Sequence, residues 1–456
     1  MSLMSLPLQA EIEKRPGARQ VSTIEDLGRL AVRGSIWTVV GFGLGQVLRL
    51  ASNLILTRLL FPEVFGLMAL VTVFIQGLQL FSDFGVRGSV VNHERGDDPV
   101  FLNTVWTLRI VRGVCLWLCL CLLAPPLSAF YGEPAIRTLI PLVAFGSVMD
   151  GFVSTSVFTL QRHVEAGKLA ALDLGTQVFS TALMIAWAWL SPSIWALVGG
   201  TLGGTLLNVL ISHLMIPGYR NRIAWEKEAA RALFRYGRWI FFATALTFIA
   251  SHVDRAVLGK FVSMSQLGVY SIAVMLSQFL VQVSQQLGQR ILFPVYAKLA
   301  RRNDGDLRRR TLQIRVVLLA CLLPPLWFLI LWGRQVVGFL YDPRYADAGW
   351  MLQILAVGAT ITLTIESAQT VLLAQGDSFR HMLVQLVQAT AFLGVSGVGG
   401  TLGGVPGFLV GIAASRIVAY PALCLCIRRY GVWLPKLDMT SFALSGGIVA
   451  LAVYFG

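Results

Sequence analysis

Apolar residues run along this chain in blocks of about 20, each long enough for one helical crossing of a hydrocarbon layer about 30 Å thick. Polar residues are confined to short joints between the blocks. A window of that length predicts helices at 34–58, 63–85, 103–125, 136–158, 169–190, 192–215, 238–256, 266–288, 312–333, 347–373, 382–400, 402–427 and 438–455. The count is thirteen, bounded at twelve to fourteen because the joins around Ser191–Pro192 and Gly399–Gly404 are short. The blocks are continuous rather than alternating, which excludes a membrane β-barrel with its ~10-residue segments of period two. Residues 1–33 form the longest polar stretch; they lack the apolar core of a secretory signal and read as a cytoplasmic arm.

Composition sharpens this picture. Apolar residues make up 56% of the 456 positions and charged residues only 13%, against about 25% charged in an ordinary soluble domain. A soluble chain of this length would have too little charge to cover its outside. The net charge of +14 is therefore read as topology, not as nucleic-acid binding, because Lys and Arg gather in cytoplasmic loops. Most of the 37 basic residues fall in alternate joints, most densely at 217–238 and 290–310, which predicts a cytoplasmic N-terminus. The opposite joints are short and leave no room for an external catalytic domain. No P-loop, HExxH or GxSxG motif occurs, and the six cysteines and five histidines show no metal spacing. The expectation is a transporter rather than an enzyme, with no cofactor, metal or nucleic-acid partner.

The chain also repeats. Residues 47–80 align with 249–282 at an offset that sets Arg58 against Lys260, Gly66 against Gly268 and Gln76 against Gln278. CLLAPPL at 121–127 echoes CLLPPL at 321–326. Two parallel six-helix bundles, related by an axis along the membrane normal, account for this pattern. The expected organisation is an arm (1–33), an N-lobe (34–215), a cytoplasmic linker (216–237), a C-lobe (238–427) and a further helix (428–456), with a cavity between the lobes.

Charges inside crossings cost roughly 2.5–3.5 kcal/mol each on insertion scales, so they need a reason. Arg49, Arg109, Arg112 and Arg416 fall within predicted crossings. Together they suit a cationic cavity for an anionic ligand such as a pyrophosphate, since guanidinium forks match phosphate oxygens. The competing reading of Arg109 and Arg112 is that they reach back to the cytoplasmic surface. Asp83, Asp173 and Asp254 lie near predicted helix ends; Asp150 and Glu366 read as deeper, candidates to pair with an arginine or bind a coupling cation. In the eighth segment Gln278, Gln282, Gln285 and Gln289 form one helical stripe. Amides facing lipid are costly, so the stripe points to a wet, glycan-lining surface or to another helix, with Gln369, Gln385 and Gln388 extending it.

Several stretches carry a resemblance. LILTRLLFPEVFGLMALVTVF (54–74), FSDFGVRGSVV (81–91), LQRHVEAGKLAALDL (160–174), HVDRAVLGKFVSMSQLGVYSIA (252–273) and FPVYAKLARRNDGDLRRR (293–310) together resemble bacterial polysaccharide flippases of the Wzx type. These belong to the multidrug/oligosaccharidyl-lipid/polysaccharide exporter superfamily. The resemblance implies an all-α fold of two six-helix lobes around a central cavity. It implies a polyprenyl-pyrophosphate-linked oligosaccharide as substrate, moved across a bacterial inner membrane for exopolysaccharide, capsule or O-antigen assembly, with a polymerase and export machinery as partners. Two lobes in one chain make a monomer sufficient. Such proteins often carry two helices beyond the twelfth, where this chain shows one. The alternatives are an ion-coupled drug or metabolite antiporter, which calls for an acidic cavity, and a membrane polymerase, which calls for a large external loop.

Overall fold

A computed structural model describes residues 24–82, 90, 95–163, 165–216, 220–229, 231, 248–249, 252–288, 292, 296, 307–375 and 377–455. All elements among them are helical. In chain order they are α1 (Ile24–Leu59), α2 (Pro62–Phe81), α3 (Pro99–Tyr131), α4 (Ala135–Gly151), α5 (Ser156–Arg162), α6 (Ala166–Leu190), α7 (Ile194–Leu214), α8 (Met264–Leu287), α9 (Leu307–Leu340), a 3-10 turn (Pro343–Tyr345), α10 (Ala348–Ala374), α11 (Ser378–Arg428) and α12 (Pro435–Phe455).

Among the described residues, 10 helices are long and apolar enough to cross a membrane, or 11 when α4 and α5, bent by 61°, count as one. The long helix α11 needs separate treatment. Its 51 residues would extend about 75 Å at 1.5 Å per residue, more than twice the hydrocarbon thickness. It folds back on itself at Gly403 and at Gly404, whose φ of 57° is a left-handed conformation open to glycine without strain. Past this point the arms pack together, and a side chain on Gly411 would collide with the backbone of Ser396. The eleventh and twelfth predicted segments are thus a hairpin. The seventh predicted segment lies mostly outside the described residues; only 248–249 and 252–261 are seen as helix.

Local signals place the helix starts. Asp98 accepts a hydrogen bond from the Val100 amide ahead of α3, with Pro99 at the first helical position; Ser263 caps α8 and Asp377 caps α11 in the same way. At that last turn the Tyr430 hydroxyl and the Arg380 amide and guanidinium hold the Asp377 carboxyl down at about 2. This clamp joins the turn before α11 to the turn after it.

In the N-terminal half α3 packs on α4, α6 on α7, and α1 on α6; in the C-terminal half α9 and α11 pack on α10, and α12 on α9. The halves meet where α2 packs on α8. There the repeat-related glycines Gly66 and Gly268 face each other, and a Cβ on either would overlap a carbonyl of the opposite helix, Met264 or Pro62 respectively. Small residues let membrane helices approach this closely. Both halves feed one buried cluster, in which Leu70 and Val71 of α2 join Leu267 and Tyr270 of α8.

Candidate functional site

The first candidate face belongs to α1. Gln46, Arg49 and Asn53 are spaced three and four apart, so they share one side of the helix. Gln46 donates from Nε2 to Oε1 of Gln282 on α8 at 2.8 Å, and the Oδ1 of Asn53 accepts from the Tyr341 hydroxyl at 3.1 Å. Both bonds cross to the other half. Arg49 lies between them, exposed, on the side of α1 that faces the C-terminal half.

On the opposite wall, Gln278, Gln282 and Gln285 fall in one unbroken helix, α8. Gln285 donates from Nε2 to the Glu366 carboxylate of α10 at 2.8 Å. The other Glu366 oxygen is buried with no hydrogen-bond partner among the described residues. Arg416 of α11 lies in electrostatic reach of Glu366 and of Asp254. Acidic and basic side chains therefore gather in the C-terminal half, with the Glu366–Gln285 bond at the edge of the group. Gln385 of α11 is half-buried. Gln289 and Asp83 lie outside the described residues.

Other candidates are placed differently. Arg109 donates to the Val153 and Asp150 carbonyls at 3.1 and 2.8 Å and pairs with the Asp150 carboxylate at 3.2 Å. Arg112 donates to Ser82 Oγ at 2.9 Å and to the Gln79 carbonyl at 2.7 Å. Both thus tie α3 to its neighbours within the N-terminal half. The Asp150 side chain is 60% exposed and stands at the last turn of α4, beside the bend into α5. Asp254, expected at a solvated helix end, is instead buried, accepting from the Tyr270 hydroxyl at 2.5 Å. Gln369 and Gln388 bond to each other at 3.4 Å.

The sequence reading passed over one residue, Arg315. It is 1% exposed and pairs with Asp438 of α12 at 2.5 Å. Its guanidinium also donates to Ser367 Oγ and the Thr364 carbonyl on α10, and Tyr420 donates to the second Asp438 oxygen at 2.7 Å. The signal was an arginine three residues inside an apolar segment, at the edge of a basic joint, where it looked solvated.

Ten or eleven apolar helices among the described residues, in two halves and with polar side chains bonded across the seam between them, are the architecture of a multi-pass membrane transporter. The chain belongs to the polysaccharide biosynthesis protein family, whose model matches residues 55–349. Among curated relatives, the lipopolysaccharide biosynthesis protein WzxC of Escherichia coli is 20% identical over 89% of this chain and 84% of its own length. The succinoglycan biosynthesis transport protein ExoT of Rhizobium meliloti is 22% identical over 80% and 74%. Among solved structures, the lipid II flippase MurJ in an inward closed conformation superposes with a TM-score of 0.71 at 12% identity, covering 91% of this chain and 92% of that one. An inward-facing multidrug-resistance MATE transporter gives 0.66 at 14%, over 90% and 96%. The fold is the MATE/MurJ transporter fold.

Proposed function

We propose that this protein flips a polyprenyl-pyrophosphate-linked oligosaccharide from the cytoplasmic to the periplasmic leaflet of a bacterial inner membrane, by alternating access, for surface-polysaccharide assembly. The observation that carries this reading is Arg49. An exposed guanidinium on the inter-lobe face of α1, bracketed by two bonds to the other lobe, suits a pyrophosphate, which can take two of its N–H donors at once. Relatives named for lipopolysaccharide and succinoglycan biosynthesis supply the substrate class.

In this reading Arg49 and Arg416 form the cationic part of the cavity. Gln278, Gln282, Gln285 and Gln385 line its sugar-facing part, with Gln289 at the end of the stripe. Arg109 and Arg112 brace the N-lobe beside it. Glu366 is the coupling acid, since one of its oxygens is held by Gln285 and the other has no partner among the described residues. The lobes are 34–215 and 238–427, the N-terminus is cytoplasmic, and a single chain suffices.

The test is gene deletion followed by extraction of polyprenyl-linked glycans from intact cells and spheroplasts. The expected result is a complete oligosaccharide-lipid trapped on the cytoplasmic leaflet with surface polymer lost. Repeat units that reach the periplasmic face and stay unpolymerised would overturn the reading and place the protein after flipping.

A further inference from the structure

A set of contacts that shares the Tyr341–Asn53 bond with the Arg49 face joins the lobes near the ends of α1, α3 and α9. The Tyr131 hydroxyl, at the C-terminus of α3, donates to the Ala256 carbonyl at 2.9 Å. The Tyr341 hydroxyl, just past the end of α9, donates to Asn53 of α1 at 3.1 Å. Each of these two bonds runs from a tyrosine at the end of a long helix, α3 or α9, to an element of the other half. Tyr131 follows Phe130 and precedes Gly132-Glu133-Pro134; Tyr341 follows Leu340 and precedes Asp342-Pro343.

Beside each tyrosine a cation reaches across to the other half, and Arg344 is also paired with Asp342 at 2.8 Å. Lys260 donates to the Phe130 carbonyl and sits 4.5 Å from the Phe130 ring centroid. Arg344 donates to the Arg58 carbonyl at 3.2 Å and stacks 4.9 Å from the Phe61 centroid. Between the two assemblies stand the facing glycines of α2 and α8. Beside them the Tyr345 hydroxyl donates to the Leu60 carbonyl at 3.0 Å, fully buried.

We infer that Tyr131 and Tyr341, with Lys260 and Arg344, are two latches that hold the lobes together at one end of the cavity, the end where α1, α3 and α9 terminate. The assignment rests on the alternating-access reading above for its consequence, and on the inter-lobe hydrogen bonds for its existence. Both hydroxyls meet neutral oxygen acceptors, and each such bond is of modest net strength. A latch of this kind is strong enough to bias a two-state equilibrium and weak enough to be released by a substrate with a few kcal/mol of preference for the other state. A covalent or fully buried ionic tie would lock the lobes instead.

The experiment measures lobe separation directly and needs no glycan. The full chain, with its six native cysteines replaced, carries spin labels at Leu190→Cys and Phe339→Cys, both highly exposed ends of α6 and α9 on the latch side. Distances are recorded by double electron–electron resonance in nanodiscs. The pair Tyr131→Phe with Tyr341→Phe keeps both rings and removes only the hydroxyls. It is expected to raise the ratio of separated to closed populations about tenfold or more, as the loss of two neutral hydrogen bonds implies. The pair Lys260→Met with Arg344→Met is expected to move the distribution the same way. An unchanged distribution in both pairs would overturn the latch, and a change with the cation pair alone would overturn the tyrosine assignment. A protein whose lobes separate as expected, in cells where glycans still reach the periplasm without it, would sink the flippase reading and leave the latch standing.

Discussion

Arg49 carries more of the functional argument than any other side chain, and its neighbours show why. Two residues of the same helical face, Gln46 and Asn53, are already bonded across the lobe boundary, so α1 cannot rotate this face away from the other half without breaking both. Its role separates into charge and shape. Arg49→Ala is expected to lower surface polysaccharide in a complemented deletion strain at least tenfold at normal protein level. Arg49→Lys should recover only part, because an ammonium offers a point charge where the guanidinium offers a planar fork. Measuring polymer per cell against protein level decides it, and full export by Arg49→Ala would remove pyrophosphate from this site. Glu366 sits in a different balance. Its neutral isostere keeps the Gln285 bond, so Glu366→Gln should leave thermal stability unchanged while abolishing any dependence of transport on the ion gradient. Transport that stays gradient-dependent in that variant would move the coupling acid elsewhere.

The helices were largely legible in the sequence, and the reasons they were so do not extend to the contacts between them. A run of about 20 apolar residues is decided by the bilayer alone, so α2, α7 and α10 stand where the hydropathy puts them. The hairpin in α11 was harder to read, because its turn has glycines and no polar joint. Pairings across the fold were not legible at all. Arg109 finds Asp150 41 positions away and Arg315 finds Asp438 123 positions away, whereas helical periodicity reports only neighbours three or four apart. The internal repeat aligned Gly66 with Gly268 as equivalent positions but gave no sign that the two touch. The element most dependent on an unforeseen pairing is α12. Its hold on the C-lobe runs through the Arg315–Asp438 pair, both members of which are at most 2% exposed. Removing one partner of a buried pair leaves an uncompensated charge and costs about 3–5 kcal/mol. Asp438→Ala should therefore lower the melting temperature in detergent sharply, while Arg315→Met with Asp438→Leu should recover most of the loss. Equal melting of Asp438→Ala and the parent protein would show that α12 is held by its apolar contacts alone.

At the scale of the molecule, the described part of the joint between the lobes is tied to the N-terminal half. The segment 220–229 lies against the N-lobe, and side chains of α3 accept its backbone amides in sequence: Asn103 from Arg222 at 2.9 Å, Thr107 from Ala224 at 3.0 Å and Thr104 from Glu226 at 3.1 Å. Arg95 grips the Glu226 carboxylate with both terminal nitrogens at 2.8 and 2.9 Å. Asn221 is held between Ser154 and Thr155, and Ala229 is buried among Phe101, Leu102 and Val105. This stretch therefore belongs structurally to the N-lobe. The lobes themselves are joined without the linker, through the α2–α8 contact and the apolar cluster that both halves complete. Continuity of the chain is then dispensable for assembly. Cutting after Arg231 and co-expressing 1–231 with 232–456 should give two fragments that copurify and restore surface polysaccharide to within a few-fold of the intact chain. The cut leaves every linker contact named here on the N-terminal fragment. If both fragments insert stably but do not copurify, the α2–α8 face is too weak to hold the lobes and the linker is a tether the fold requires.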